Sequence, residues 1–300
     1  MGGGGGLRVG VVGADTSHVV AFTRRIQHRA VDPGQWVDGA RVVALCPLPS
    51  RILPREAVQA HVDAVAALGV TVVSAPGDLL PRVDAVFVET REAALHPALA
   101  SLFLDAGVPV FVDQPFALTV SDAAAMVELA ARRGVALVSS SSLRTCREAR
   151  AMSRPRPQGA RVHAPTQRHE ANPGLMHYGM HGVELLAALM GQGVAGVACV
   201  GADGADELVL RWRDGRLATM RGLATPPASY RFTVERPEGA VAVEVDTDAL
   251  YRDLLVRVLP ALAGGPPPAT PEAMVETVAV LTAANASLEL GGREIALDAP

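Results

Sequence analysis

Short apolar runs alternate with amphipathic stretches along the first half of the chain. Six of these runs have the length of buried strands: Leu7–Val12, Ala40–Cys46, Val70–Ser74, Val83–Glu89, Val108–Asp113 and Val135–Ser139. The stretches between them repeat apolar residues at helical spacing, and they are Ser17–Ala30, Pro54–Leu68, His96–Ala106 and Ser121–Arg133. Continuous apolar strands that alternate with helices are typical of a parallel sheet covered on both faces. The pattern therefore predicts an α/β fold with a doubly wound parallel sheet in an N-terminal domain, residues 1–120.

The second half of the chain has the pattern of paired strands. Two candidate hairpins turn at Asp214-Gly215 and at Pro237-Glu238-Gly239, and their strands are Glu207–Arg213, Arg216–Leu223, Tyr230–Glu235 and Ala240–Val245. A helix is predicted over Pro173–Met190, two closing helices flank the Gly264–Pro268 linker, and Glu294–Leu297 is a last short strand. This order predicts a second α/β domain, residues 121–300, built on a mostly antiparallel sheet.

The composition narrows the chemistry that the chain can perform. Its 300 residues are the length of about two domains, and 49% hydrophobic with 19% charged residues indicates a compact protein. All 27 basic residues are arginine, so the chain contains no lysine. Schiff-base chemistry, a pyridoxal-phosphate anchor and the lysine of a P-loop are therefore excluded. The net charge is −4 and no basic block stands out, so we expect no nucleic-acid partner.

The cysteines and the apolar segments indicate the compartment. Cys46, Cys146 and Cys199 are far apart, odd in number and without CxxC spacing, which predicts free thiols in a reducing environment. The N-terminus lacks the pattern of a signal peptide. The longest apolar stretch, residues 183–200, is interrupted by Glu184, Gln192 and several glycines, so it does not predict a membrane span. We therefore expect a cytoplasmic protein with no membrane partner.

Several motifs occur in a fixed order. A glycine turn at Gly13 follows the first strand, VDAVFVET precedes His96-Pro97, VFVDQPF precedes a Ser-Asp-Ala helix, and HYGMHGVE occupies residues 177–184. In this order the chain resembles the glucose–fructose oxidoreductase / inositol dehydrogenase (Gfo/Idh/MocA) family over residues 7–298, as a divergent member. The resemblance implies an N-terminal Rossmann domain that binds NAD or NADP and a C-terminal domain that presents substrate and forms a homodimer or homotetramer. The implied reaction is hydride transfer on a sugar-like or cyclitol-like small molecule.

The catalytic positions implied by the resemblance hold unusual residues. The family's lysine, in a Glu-Lys-Pro motif, corresponds to Gln114, which keeps a hydrogen-bond donor but carries no charge. The family's aspartate corresponds to His177, and its histidine is His181, four residues on and on the same face of a helix. A histidine can accept a hydroxyl proton during oxidation and return it during reduction. We expect His181 to be the acid/base, His177 its partner or a substrate ligand, and Gln114 a residue that orients substrate or nicotinamide.

The turn that would bind the dinucleotide also departs from the GxGxxG pattern, because Asp15 and His18 replace its second and third glycines. In one interpretation, Asp15 or Ser17 simply caps the following helix. In the other, the Thr16 and Ser17 hydroxyls and the helix N-terminus hold a phosphate while Asp15 is turned away. The candidate cofactor residues in this turn are Gly13, Ala14, Asp15, Thr16, Ser17 and His18.

Other candidate cofactor residues lie at the ends of later strands. Pro47 stands where an acid would bind an NAD ribose, and Arg51 just beyond it could meet a 2′-phosphate, which favours NADP. An ordinary surface arginine is the alternative interpretation of Arg51. The resemblance also implies that His96 faces the cofactor and that Asp113 and Pro115 frame the motif turn.

The second domain supplies two candidate substrate residues, Arg144 and Glu184, and for Arg144 an ion pair at the surface is the alternative. A metal could also be held by His177, His181 and Glu184 with His169, but the family keeps the acidic residue without a metal, so we expect none. Two further functions remain open. One is a redox-neutral lyase, isomerase or cyclase that uses His177 and His181, and the other is a non-catalytic ligand-binding protein.

Overall fold

The computed structural model describes residues 6–202, 204–224 and 229–298 of the chain. Its strands are β1 (Leu7–Val12), β2 (Ala40–Cys46), β3 (Thr71–Val72), β4 (Ala85–Val88), β5 (Val110–Val112), β6 (Leu137–Val138), β7 (Gly159–Pro165), β8 (Val194–Ala202), β9 (Ala205–Trp212), β10 (Leu217–Leu223), β11 (Arg231–Arg236), β12 (Gly239–Glu244) and β13 (Ile295–Ala296). Its helices are α1 (His18–Ile26), α2 (Arg55–Ala66), α3 (His96–Asp105), α4 (Val120–Arg133), α5 (Ser142–Thr145), α6 (Arg147–Met152), α7 (Met180–Met190), α8 (Leu250–Leu262) and α9 (Pro271–Glu289).

The chain forms two compact units. The first comprises Met1–Ala117, Ser121–Ser139 and Tyr251–Pro271, and the second comprises Leu118–Val120, Ser140–Leu250 and Glu272–Pro300. These units divide the chain at several places, whereas the sequence predicts a single boundary after residue 120. The difference has two causes, because β6 adds to the first sheet and α8 packs into the core of the first unit.

The first unit is built on a six-stranded parallel sheet with the order β3-β2-β1-β4-β5-β6. Strands β4 and β5 are buried along their whole length, which explains their uninterrupted apolar sequences. The strand order reverses direction between β1 and β4, so the crevice at the carboxyl ends of these two strands is where such sheets bind ligands. This sheet confirms the doubly wound parallel fold predicted from the sequence.

Helix α1 packs its apolar face, Val19, Phe22 and Ile26, into the core of the first unit. It ends at Ile26, four residues earlier than predicted, because His28 and Ala30 have φ angles of 54° and 53°. Such positive values lie outside the right-handed helical region. The apolar face of α8 belongs to the same core and consists of Leu254, Leu255, Val258 and Leu259.

The second unit is built on a seven-stranded sheet with the order β12-β11-β7-β10-β9-β8-β13. Every neighbouring pair is antiparallel except β10 with β7, which confirms the predicted mostly antiparallel sheet. Helix α7 lies close to this sheet at Gly182, where a Cβ atom would come within 2.2 Å of the Met220 sulfur. Strands β7 and β8 and helices α5 and α6 were not predicted.

No helix among the described residues combines the length and the apolar character needed to cross a membrane.

Candidate functional site

The turn after β1 requires glycine at Gly13. Its φ angle is +93°, and a Cβ atom at this position would lie 2.6 Å from the backbone nitrogen of Thr90, which follows β4. Only glycine tolerates both the left-handed backbone and this close approach. The turn therefore brings the start of α1 next to the carboxyl end of β4, at the point where the strand order reverses.

Asp15, the first replacement in the glycine pattern, is buried and bonded to two neighbouring loops. Its Oδ1 accepts a hydrogen bond from the Arg91 backbone N–H at 2.8 Å, and its Oδ2 accepts one from the Ser50 hydroxyl at 2.7 Å. The Thr90 hydroxyl lies 3.5 Å from the same Oδ2. Asp15 thus does not cap α1. These bonds agree with the interpretation in which its carboxylate is turned away from a bound phosphate.

The rest of the turn leads into the N-terminus of α1. The buried Thr16 accepts a hydrogen bond from the His18 backbone N–H at 3.2 Å, and the Ala14 carbonyl lies 2.9 Å from Nδ1 of His61. Ser17 occupies the N-cap position, is exposed, and makes no capping hydrogen bond through its side chain. The side chain at the N-cap position therefore accepts no backbone N–H at the start of α1. The partial positive charge of this N-terminus is favourable for an anion.

Beyond β2, the structure contains a cavity of about 490 Å³, lined by residues 47–50 and by Arg55, Val58, Gln59 and Val62 of α2. The nearby Arg51 pairs with the buried carboxylate of Glu92. The backbone N–H and the Nε of Arg51 donate to its two oxygens at 2.5 and 2.6 Å. The ion pair with Glu92 competes with the predicted contact to a 2′-phosphate, and Arg55 is the arginine in the cavity wall.

His96, at the start of α3, is fully buried and links two loops. Its Nε2 lies 2.8 Å from the Thr90 carbonyl, and its Nδ1 lies 3.2 Å from the Phe116 carbonyl. Both ring nitrogens therefore face carbonyls of the backbone that follows β4 and β5, and a neutral imidazole donates a hydrogen bond to one of them. These contacts give His96 a positioning role in the crevice, and its predicted proximity to a cofactor stays a prediction.

The motif turn after β5 begins with Asp113 and Gln114 and contains a cis peptide bond before Pro115. Asp113 Oδ1 accepts the Gln114 backbone N–H at 2.8 Å, and Oδ2 lies 2.6 Å from Nδ1 of His18. The Gln114 side chain is buried, and its Nε2 donates to the Ser139 hydroxyl at 3.0 Å. Gln114 thus keeps the side-chain N–H donor that the sequence predicts, and this group donates to the Ser139 hydroxyl.

Glu89, at the end of β4, was not singled out from the sequence, although it lies in one of the motifs. It is completely buried, and within the described part of the chain neither of its carboxylate oxygens has a hydrogen-bond partner. Burial raises the pKa of Glu89 well above its usual range, and the carboxylates of Asp113 and Asp15 raise it further. An acidic residue placed directly after a buried apolar strand was the sequence signal for it.

In the second unit, His181 lies in the first turn of α7 and is partly exposed. Its Nδ1 is 2.8 Å from the Ser141 hydroxyl, and its ring contacts Tyr178 and Tyr230 with centroid separations of 5.1 and 6.3 Å. A hydroxyl on one ring nitrogen orients the imidazole and defines which nitrogen can exchange a proton. The arrangement around His181 can therefore support acid/base chemistry.

His177 does not lie on the same helix as His181, because α7 begins at Met180 and is preceded by a short 3₁₀ turn, Gly174–Met176. The prediction of one helix that starts at residue 173 was wrong in this respect. His177 is buried, its Nδ1 lies 3.4 Å from the Asn172 amide nitrogen, and its ring is 5.3 Å from that of His169. Among the described residues, no three of His169, His177, His181 and Glu184 come close enough to share a metal ion.

The two candidate substrate residues form a buried ion pair with each other. Arg144 donates from Nε to Glu184 Oε2 at 2.6 Å and from a terminal nitrogen to Oε1 at 2.9 Å. Glu184 also accepts from the Thr277 hydroxyl and the Ser141 backbone N–H. Only 8% of the Arg144 side chain and 2% of the Glu184 side chain are exposed. The pair therefore holds α7 against α5 and α9. The alternative interpretation of Arg144 as a surface ion pair is wrong as to its location, because the pair is buried, and the substrate role of both residues stays a prediction.

A comparison with known families finds one match, over residues 7–141, to the family described as the Gfo/Idh/MocA oxidoreductase family with an NAD-binding Rossmann fold. D-apiose dehydrogenase of Paraburkholderia graminis is 38% identical over 108 residues, which are 34% of this chain and 26% of that protein. The chain thus matches about a quarter of the length of this curated relative.

Solved structures resemble the chain along almost its whole length. The structure of GenD2 from gentamicin A biosynthesis, in complex with NAD, has a TM-score of 0.79 at 20% identity and covers 98% of this chain and 97% of its own. Myo-inositol dehydrogenase from Corynebacterium glutamicum has a TM-score of 0.79 at 15% identity, with coverages of 98% and 100%. WlbA dehydrogenase from Bordetella pertussis, in complex with NADH and UDP-GlcNAcA, has a TM-score of 0.75 at 23% identity, with coverages of 99% and 99%. Residues 7–141 thus match the Gfo/Idh/MocA oxidoreductase family, and the chain as a whole shares the fold of these dehydrogenase structures.

Proposed function

We propose that the protein is an NAD(P)-dependent oxidoreductase that acts on a hydroxyl or carbonyl carbon of a sugar-like or cyclitol-like small molecule. The observation that carries this proposal is the match of residues 7–141 to an NAD-binding family, over the very part that forms the parallel sheet and its crevice. The curated relative, D-apiose dehydrogenase, supports the class of substrate.

The residues at the crevice fit a dinucleotide. Gly13 permits the tight turn that places the start of α1 next to the carboxyl end of β4, and the N-terminus of α1, where the Ser17 side chain makes no capping hydrogen bond, favours an anion. The cavity beyond β2 has room for an adenosine group, with Arg55 in its wall. Bound NAD or NADP would supply the hydride acceptor or donor.

The proposal includes both NAD and NADP. The preference for NADP rested on Arg51, and that guanidinium is bonded to the buried Glu92. A 2′-phosphate would have to compete with this ion pair or use Arg55 instead. Titration of both dinucleotides is therefore part of the test.

We assign proton transfer to His181. In the tautomer that donates Nδ1–H to the Ser141 hydroxyl, the lone pair lies on Nε2, which can accept the substrate hydroxyl proton as hydride leaves the carbon. In the reverse direction the same nitrogen returns the proton. Gln114 carries no charge, so it can orient a reacting oxygen by hydrogen bonding but cannot take the proton.

The first test is dinucleotide binding. Purified protein should release NAD(H) or NADP(H) on denaturation, detected by mass spectrometry, and stripped protein should bind one of them with micromolar affinity. Ser17→Glu places a carboxylate at the open N-terminus of α1, which repels a phosphate without disfavouring the helix, so affinity should fall at least about tenfold. Ser121→Glu, in the first turn of α4, is the matched control and should bind normally.

The second test is turnover, measured as nicotinamide absorbance in a screen of polyols and keto-sugars. His181→Asn should lower kcat by about 10²–10⁴ and leave dinucleotide affinity unchanged, whereas His163→Asn on the exposed side of β7 should retain full activity. Failure of both dinucleotides to bind would overturn the proposal. Redox-neutral chemistry at His177 and His181, or ligand binding without catalysis, would then replace it.

A further inference from the structure

Three side chains with metal-binding atoms meet in the crevice of the first unit. His18 is the first residue of α1, Glu89 directly follows β4, and Asp113 directly follows β5. Because β1, β4 and β5 are parallel neighbours, the segments that follow them emerge at one edge of the sheet. One ligand atom from each of these residues lies within 4.8 Å of the corresponding atoms of the other two.

Glu89 is the residue of the three whose buried carboxylate most needs a compensating ligand. Other buried carboxylates nearby have partners: Asp15 is bonded to Ser50 and to the Arg91 N–H, and Glu92 is bonded to Arg51. Within residues 6–202, 204–224 and 229–298, both oxygens of Glu89 lack a hydrogen-bond partner although the residue is completely buried. A buried carboxylate without a partner is costly unless a cation or a proton compensates it.

The donor set identifies the class of cation. One imidazole nitrogen and two carboxylate oxygens suit first-row divalent ions such as Mn²⁺, Fe²⁺ and Zn²⁺, whereas Mg²⁺ and Ca²⁺ prefer oxygen ligands alone. Ligand bonds to such ions are about 2.0–2.2 Å long, so the three groups need to move by only a small amount. With three protein ligands, coordination positions remain for water or a bound molecule.

The site is enclosed but reachable. Its exposed member is His18, with 19% of its side chain accessible, while Asp113 is 4% exposed. The ring of His18 packs against Phe22 and Tyr251, at centroid separations of 5.0 Å each, and Asp113 is held by the Gln114 N–H. These contacts hold two of the ligands in place before any ion arrives.

We propose that His18, Glu89 and Asp113 form a binding site for one divalent transition-metal ion in the crevice of the first unit. The ion would compensate the charge of the two buried carboxylates. This inference goes beyond the proposed function and does not depend on it, because the test below requires neither a dinucleotide nor a substrate.

The test is a titration of the full chain, dialysed against EDTA and then into chelator-free buffer, with MnCl₂ followed by electron paramagnetic resonance. Zinc chloride is titrated in parallel by calorimetry. We expect one Mn²⁺ per chain with micromolar affinity. Glu89→Gln keeps the shape of the side chain but removes its charge, and it should weaken binding at least about tenfold. His18→Gln removes a second ligand independently and should have a similar effect.

His177→Asn is the matched control, since it removes a histidine of the second unit that a metal could also contact. It should leave Mn²⁺ binding unchanged. Thermal unfolding of each variant establishes that it is folded, and if Glu89→Gln does not fold, His18→Gln decides the matter. Absence of Mn²⁺ and Zn²⁺ binding to the wild-type chain, binding unaffected by both ligand variants, or binding abolished by His177→Asn would each overturn the proposal.

Discussion

Arg144 and Glu184 form a buried ion pair and make two hydrogen bonds to each other. Burial raises the pKa of Glu184, but the Arg144 charge and hydrogen bonds from Arg144, Thr277 and the Ser141 N–H outweigh it, so the pKa is lowered overall. A buried pair of this kind need not add net stability, yet losing one partner leaves an uncompensated charge.

We therefore expect Glu184→Gln to reduce the free energy of unfolding by about 3–5 kcal/mol, because Arg144 would remain buried beside a neutral amide. Urea unfolding monitored by circular dichroism measures this loss. Glu128→Gln, in an exposed pair with Arg132, is the control and should change stability by less than about 1 kcal/mol. Replacing both partners, as Arg144→Met with Glu184→Leu, should recover most of the loss.

The same pair predicts a dependence on pH. Because the folded-state pKa of Glu184 lies below its unfolded value, its contribution to stability is present above about pH 4.3 and is lost as pH falls through the folded pKa. The difference in stability between the wild-type protein and Glu184→Gln should thus narrow below about pH 4. If this difference in stability stayed constant from neutral pH to below about pH 4, the lowered pKa of Glu184 would be contradicted.

At the level of elements, the crevice depends on how the loops after β4 and β5 are tied together. His96, on α3, connects these loops by its contacts with the Thr90 and Phe116 carbonyls. The loop after β4 is also tied to the turn after β1, because the Arg91 N–H donates to Asp15. The loops that follow these three strands are therefore tied to one another by side chains, beyond the last backbone hydrogen bonds of the sheet.

Replacing His96 by Phe preserves bulk but leaves a buried carbonyl without its donor, so stability should fall by about 1–3 kcal/mol. Hydrogen exchange should become faster in residues 89–92 and 114–117, which mass spectrometry can localise. Leu102→Ala, at an exposed position of the same helix, is the control and should affect neither quantity. Unchanged exchange in both loops would show that His96 does not link them.

At the level of the whole molecule, the seven-stranded sheet has an outer face on which apolar and charged residues are mixed. Val200, Val209 and Leu217, on β8, β9 and β10, are each at least 40% exposed. Cross-strand ion pairs flank them, such as Arg221 with Glu207 and Arg161 with Glu235. This face is a candidate contact surface for the homodimer or homotetramer that the sequence predicts, and the oligomer stays a prediction.

We predict that the protein self-associates through this face and that Leu217→Glu shifts it towards the monomer, because a carboxylate would be buried at the contact. Light scattering coupled to size-exclusion chromatography gives the mass directly. Val241→Glu is the control: Val241 is also exposed but pairs with the inward-facing Val234, so it lies on the other side of the sheet. A wild-type monomer, or an oligomer unaffected by Leu217→Glu, would contradict this prediction.

The sequence by itself determined the fold class and most of the elements, because burial of strands and helices leaves a local pattern in the apolar residues. It also placed Gly13, Asp113 and Gln114 at strand ends, where they lie in the structure. It did not single out Glu89, because the signal of an acid directly after a buried strand does not show which other strand ends lie beside that acid. For the same reason it could not assign Asp15 its partners, which are 35 and 76 residues away.

Only the tertiary structure decided which side chains are paired and which are not. Arg144 and Glu184, expected to meet substrate, are 40 residues apart and neutralise each other in the core. Helix α8 returns to the first unit because its apolar face completes the core around β1 and β2. Periodicity is a property of neighbouring residues, whereas burial of a charge depends on contacts between distant ones, and these become defined only when the chain is folded.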